Sequence, residues 1–128
     1  MQVSPVRFEQ IVDQIAAAVL AELPPNLRAD AEEVIVDIDN WASVDRLAEL
    51  GLQPRTWLFG LYEGVPLISR RSNSVIMKPD RITLYRGPLQ ANSRTEAELK
   101  HRTRRTFVHE LGHFFGFTEH ELAERGWG

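Results

Sequence analysis

Cysteine is absent from the 128-residue sequence. Neither a disulfide nor a thiolate–metal bond can therefore hold the fold, and any metal has to sit on nitrogen and oxygen donors. No apolar stretch approaches the roughly 18 residues that would cross a bilayer as a helix, and the N-terminal residues lack the basic start and apolar block of an export signal. A cytoplasmic protein with no membrane partner is expected. Basic excess is missing too: 15 Lys and Arg stand against 18 Asp and Glu, a formal net charge of -3. That balance argues against a dedicated nucleic-acid binder, so no nucleic-acid partner is expected. Internal repeats, low-complexity tracts and linker-like segments do not occur. What is present, 43% hydrophobic and 26% charged residues, is the composition of a globular chain with a core, and the length suits a single domain over residues 1–128.

Ser4-Pro5 is a capping residue followed by a proline suited to the first helical turn. Phe8, Ile11, Val12, Ile15, Val19 and Leu23 follow at helical spacing until Pro24-Pro25 closes the segment. Val34, Val36 and Ile38 alternate as in a strand, and Asp37 and Asp39, tempting as catalytic acids, read as strand end and turn. Residues 41–56 form an irregular connection with a short helix. Trp57 to Tyr62 and Val65 to Ile68 predict two strands joined by a tight turn at Glu63-Gly64, with a polar loop at Arg70 to Asn73. Ile82, Leu84 and Arg86, alternating with Thr83 and Tyr85, predict a short strand ended by Gly87-Pro88. Ser93 with Glu96 makes a capping-box pattern that opens a long helix running to Gly116, and Thr118 with Glu121 repeats the pattern for a short terminal helix toward Arg125. The order is helix, three or four strands, helix, short helix, an α+β arrangement.

The chemistry concentrates in the second long helix, in His109-Glu110-Leu111-Gly112-His113. Four residues advance a helix by about 400°, so both imidazoles leave on one side, one turn apart, and can reach one ion. Glu110 lies about 100° around, where its carboxylate can approach a water on the metal instead of the metal itself. Phe107, Leu111 and Phe114 point roughly the other way and can enter the core, leaving the histidines on a cleft. Ligand, base and ligand within one turn is the pattern of a zinc hydrolase, with Zn2+ as cofactor and a peptide or protein as substrate.

A catalytic zinc takes three protein ligands and keeps an open position. His101 is about 12 Å before His109 along the helix, too far to share the ion, and reads as a surface residue. Downstream stand Glu119, His120, Glu121 and Glu124. Gly116 can end the helix in a left-handed turn that returns the chain under the metal, where Glu119 and His120 come first. Glu121 is taken up as the capping partner of Thr118. HExxHxxGxxE ending at Glu119 has metzincin-like spacing with a carboxylate where many such enzymes have histidine, so Glu119 is favoured over His120. Both methionines, Met1 and Met77, lie upstream, so the supporting methionine turn of those enzymes is absent.

These features together make the chain similar to the small bacterial zincin-like metallopeptidases, also called minimal metalloproteases and long catalogued as a domain of unknown function. The resemblance covers nearly the whole chain. It runs through the helix from Phe8, Gly60-Leu61-Tyr62-Glu63-Gly64-Val65-Pro66-Leu67, Ile82-Thr83-Leu84-Tyr85-Arg86, and His109 to Gly116 followed by Phe117-Thr118-Glu119. It implies a compact zincin-like α+β fold and zinc on His109, His113 and the acidic position after the glycine. That position is commonly Asp in the family and is Glu119 here.

Segments 57–63 and 82–86 are candidate strand edges for an extended peptide, and Tyr62 or Tyr85 a candidate oxyanion donor, although strand tyrosines mostly pack. Lys100, Arg102, Arg104 and Arg105 form the one dense basic run. Arg102 shares the histidine side of the helix and could meet an acidic substrate, although such runs are usually a solvated surface. The alternative to a peptidase is a zinc-binding module that holds a peptide with little or no proteolysis. Oligomeric state is left open.

Overall fold

The side chain of Ser4 accepts a hydrogen bond from the Arg7 amide and Pro5 fills the first turn, so helix α1 (Pro5–Glu22) starts where the sequence predicts. The structure, a computed structural model, describes residues 2–67 and 79–127. The proline pair does end α1, but Pro25 also opens a helix that periodicity did not predict, α2 (Pro25–Ala31). A proline that breaks one helix is well suited to the first turn of the next. Strand β1 (Ile35–Asp39) and helix α3 (Val44–Glu49) follow. Asp37 and Asp39 are structural: Asp37 pairs with the Arg81 guanidinium, and the Asp39 carboxylate accepts from the Asn40 amide.

Strands β2 (Gly60–Glu63) and β3 (Arg81–Tyr85) complete a sheet of order β1-β3-β2, with β3 parallel to β1 and antiparallel to β2. The predicted hairpin between 57–62 and 65–68 is not formed. β2 takes β3 as its partner, Val65 and Pro66 belong to no strand, and Ile68 with the predicted loop at Arg70 to Asn73 lies outside the described residues. Proline cannot donate to a ladder and Val65 is exposed, whereas β3 offers a partner buried on both faces. That two-sided burial also corrects the expected alternation, since Ile82, Thr83, Leu84 and Tyr85 are all buried in the central strand. Gly87-Pro88 does end the strand, but inside a helix, α4 (Arg86–Ala91).

The predicted cap at Ser93 slips by two residues. The Ser93 hydroxyl donates to the Leu89 carbonyl at the end of α4, and Thr95 caps α5 (Glu96–Phe115), accepting from the Glu98 amide at 3.1 Å. α5 packs on α1, β2 and β3, and Phe8, Ile11, Ile82, Leu84, Phe107 and Phe114 meet in the core between them. Helix α6 (Glu119–Glu124) begins with the predicted Thr118 and Glu121 capping box. The fold is α+β: an N-terminal helix, a small mixed sheet and a long helix carrying the His-Glu-x-x-His sequence. Among the described residues no helix is long and apolar enough to cross a membrane.

Candidate metal centre

Phe107, Leu111 and Phe114 bury one side of α5 and so fix its rotation about its own axis. That rotation leaves His109, Glu110 and His113 turned to the cleft, with one donor atom from each lying within 4.8 Å of the others. The two imidazole rings stand edge to face, centroids 4.9 Å apart. Both point the same way, as a one-turn spacing requires.

Two glycines bring a further carboxylate to the pair. Gly116 closes α5 in the left-handed region at φ 97°, with the amides of Gly116 and Phe117 bonding back to the carbonyls of His113 and Gly112. The chain reverses there and enters α6. Gly112 forms the seat for that helix: a Cβ on it would lie 2.2 Å from Leu122 Cδ2. With α6 in this seat, its first residue, Glu119, places Oε1 2.8 Å from His113 Nε2 and 3.2 Å from His109 Nε2. On the far side of the ring, His109 Nδ1 is 3.2 Å from the Trp127 carbonyl oxygen. A carbonyl only accepts, so Nδ1 carries the proton in this contact, which leaves the lone pair of Nε2, on the Glu119 side, to bind a metal. Trp127 has no sequence signal, because its part is played by a backbone atom.

Glu110 is the most enclosed of the cluster. Its Oε1 accepts the Tyr62 amide of β2 at 2.9 Å, which ties the carboxylate to the outer edge of the sheet. Burial pushes its carboxyl above the usual carboxylate range, against the opposing pull of His113, the Tyr62 amide and His109. Glu119 moves the other way. Partial burial favours its neutral form, but the charges and hydrogen bonds of His109 and His113 outweigh that and hold the carboxyl low.

The other candidates lie elsewhere. The His120 side chain is 83% exposed and pairs with Glu124 at 2.8 Å. His101 is exposed on α5, and the Glu121 carboxylate accepts the Thr118 amide in the capping box. The Tyr62 hydroxyl donates to Asp80 Oδ1 at 2.6 Å, and Tyr85 is buried in the central strand. Segment 82–86 cannot serve as a strand edge, because β3 has a neighbour on each side; β2 can. Two grooves meet at Glu110. One, about 440 Å³, runs between Trp57, Phe59 and Gly60 of the segment entering β2 and Arg102, Arg105 and Thr106 of α5. The other, about 450 Å³, lies between Tyr62, Gly64 and Pro66 on one side and His113, Gly116 and Phe117 on the other.

Two imidazole nitrogens and a carboxylate oxygen converging without any sulfur are a donor set that fits a zinc ion. The His/Glu/His cluster has the pattern of the zincin metal site. Comparison with known proteins agrees: residues 31–127 match the family described as zincin-like metallopeptidase. No curated protein matches the sequence.

Proposed function

The chain belongs to the zincin-like metallopeptidase family, and from that premise we propose that it hydrolyses peptide bonds with zinc held by His109, His113 and Glu119 and with Glu110 as general base. The observation that carries the reading is the division of labour between the two carboxylates. Glu119 Oε1 lies against both Nε2 atoms, while Glu110, which also has an oxygen within 4.8 Å of the histidine donors, has its Oε1 engaged by the Tyr62 amide at 2.9 Å. Zinc in such a set supplies Lewis acidity toward a carbonyl and toward water.

Everything else in the step belongs to the protein. Glu110 removes the proton from the attacking water and delivers it to the leaving amine. Its enclosed position, tied to the Tyr62 amide and next to the histidine donors, suits that role. The outer edge of β2 lies beside Glu110 and, with its Tyr62 amide already given to Glu110, offers its remaining outward main-chain groups to an extended peptide, and the two grooves receive side chains on either side of the bond to be cut.

The test pairs metal analysis with a mixed-peptide digest. Glu110→Gln is expected to keep its zinc and lose hydrolysis by a factor of about 10² or more. Glu119→Ala is expected to lose zinc, and His120→Ala to keep it. Equal cleavage by the parent and Glu110→Gln rejects the base, and an unchanged zinc affinity in Glu119→Ala rejects the third ligand. A zinc-loaded parent that holds peptides but cuts none returns the reading to a peptide-binding module.

A further inference from the structure

The two grooves at Glu110 differ in charge. The one bounded by Tyr62, Gly64, Pro66 and Phe117 carries no charged group besides Glu110 and His113. The other has Arg102 and Arg105 on its α5 wall and Trp57 and Phe59 facing them. Arg102 Cζ stands 5.9 Å from the centre of the Phe59 ring, at the outer reach of a cation–π contact, which puts the guanidinium beside the groove. Nearby arginines are used in the fold: Arg104 pairs with Glu22 at 2.7 Å and Arg7 with Glu96 at 2.5 Å. Among the described residues no carboxylate lies within ion-pair distance of Arg102. In a chain whose net charge is -3, a guanidinium in this position is a local exception, with its donor fork open to a ligand.

The sheet supplies a direction. β2 runs from Gly60 to Glu63, and its Tyr62 amide points away from β3, toward Glu110. A peptide that extends the sheet antiparallel to β2 runs from the Gly64 end toward the Trp57 end. The residue before the scissile bond then faces the uncharged groove, and the residue after it faces Arg102. We propose that Arg102 is a specificity-determining residue that selects an acidic side chain immediately after the scissile bond. The proposal rests on the peptidase reading above and names the substrate class of that site. Arg105 adds positive charge to the same groove, and the faces of Trp57 and Phe59 cover the methylene groups of a Glu or Asp side chain.

The test reads cleavage and binding separately. A zinc-loaded digest of a mixed peptide pool, with cut sites located by mass spectrometry, is expected to show Asp and Glu enriched directly after the cut. Arg102→Glu is expected to lose that enrichment and gain Lys and Arg there, and Arg102→Lys to keep part of it. Binding is followed by tryptophan fluorescence, for which Trp57 in the groove is a reporter, in the zinc-loaded Glu110→Gln protein. The probes are two peptides alike except for Glu or Lys at that position. The Glu peptide is expected to bind about tenfold more tightly, and adding Arg102→Glu is expected to abolish or reverse the difference. Cut sites without charge preference, or a preference unmoved in Arg102→Glu, overturn the proposal. If no peptide is cut, the peptidase reading fails, and the binding pair still decides: equal affinity for the two peptides overturns the charge preference, and a Glu preference lost in Arg102→Glu upholds it.

Discussion

Thr103 sits fully buried in the middle of α5, and its hydroxyl meets no hydrogen-bond partner among the described residues. A hydroxyl removed from water without a partner costs about 1–3 kcal/mol. Thr103→Val keeps the shape and removes the polar atom, so a gain of about 1 kcal/mol in unfolding free energy is expected by urea titration, with zinc binding unchanged. Tyr85 allows a pH prediction at the same scale. Burial, with Asp39 and Glu63 adding to it, pushes the Tyr85 hydroxyl upward. The folded value therefore lies above the unfolded one, and the stability it contributes is whole below the unfolded value, about 10. It is lost as pH rises from there through the folded value. Denaturation midpoints are expected to fall more steeply above pH 10 in the parent than in Tyr85→Phe; parallel curves would show that Tyr85 is not the group responsible.

At the scale of elements, the site is a joint between α5 and α6, and Gly112 is its hinge plate. Helix propensity alone makes Gly112→Ala stabilising by about 1 kcal/mol. A methyl group at 2.2 Å from Leu122 Cδ2 instead makes the fully buried Leu122 side chain give way, at about 1–3 kcal/mol for overpacking, and the shift this passes to α6 carries Glu119 away from the histidines. Loss of zinc affinity by about 10–100-fold with the helical content intact is the expected outcome, measured by competition with a chelator and by circular dichroism. A more stable protein with unchanged zinc affinity would mean that α6 is not positioned through this contact. The same joint explains what the sequence reveals. His109, Glu110, His113, Gly116 and the Thr118 and Glu121 cap lie within one short stretch of chain, where spacing translates directly into geometry. The contacts that complete the arrangement join residues distant in sequence: Leu122 in the Gly112 seat, the Trp127 carbonyl on His109, the Tyr62 amide on Glu110. No local pattern encodes these. The misread elements fail for a related reason. The apolar run before Glu63 fits a hairpin as well as a strand, and only the long-range pairing with β3 decides between them, while α2 and α4 are short helices that begin at or near prolines and have too few turns for periodicity to register.

For the molecule as a whole, the centre links two ends of the core. α5 is held by α1 and the sheet, whereas α6 is joined to it through the Gly116 turn, the buried Leu122 and the contacts of Glu119 and Trp127 with the histidines. An ion bound by donors from both helices favours the folded chain over the unfolded one, where those donors are scattered. With free zinc at about 100 times its dissociation constant, linkage adds about 2.7 kcal/mol, which for a chain of this size corresponds to a rise in melting temperature of the order of 10 °C. The rise is expected in the parent and in Glu110→Gln, to be reversed by a chelator, and to vanish in Glu119→Ala. It should also shrink as pH falls into the range where imidazoles take up protons, because a protonated ring has no lone pair for a metal. Scanning calorimetry with and without zinc checks all five conditions. A parent whose melting temperature ignores zinc would remove the metal centre itself, and an equal rise in Glu119→Ala would leave the centre in place but deny α6 its share in it.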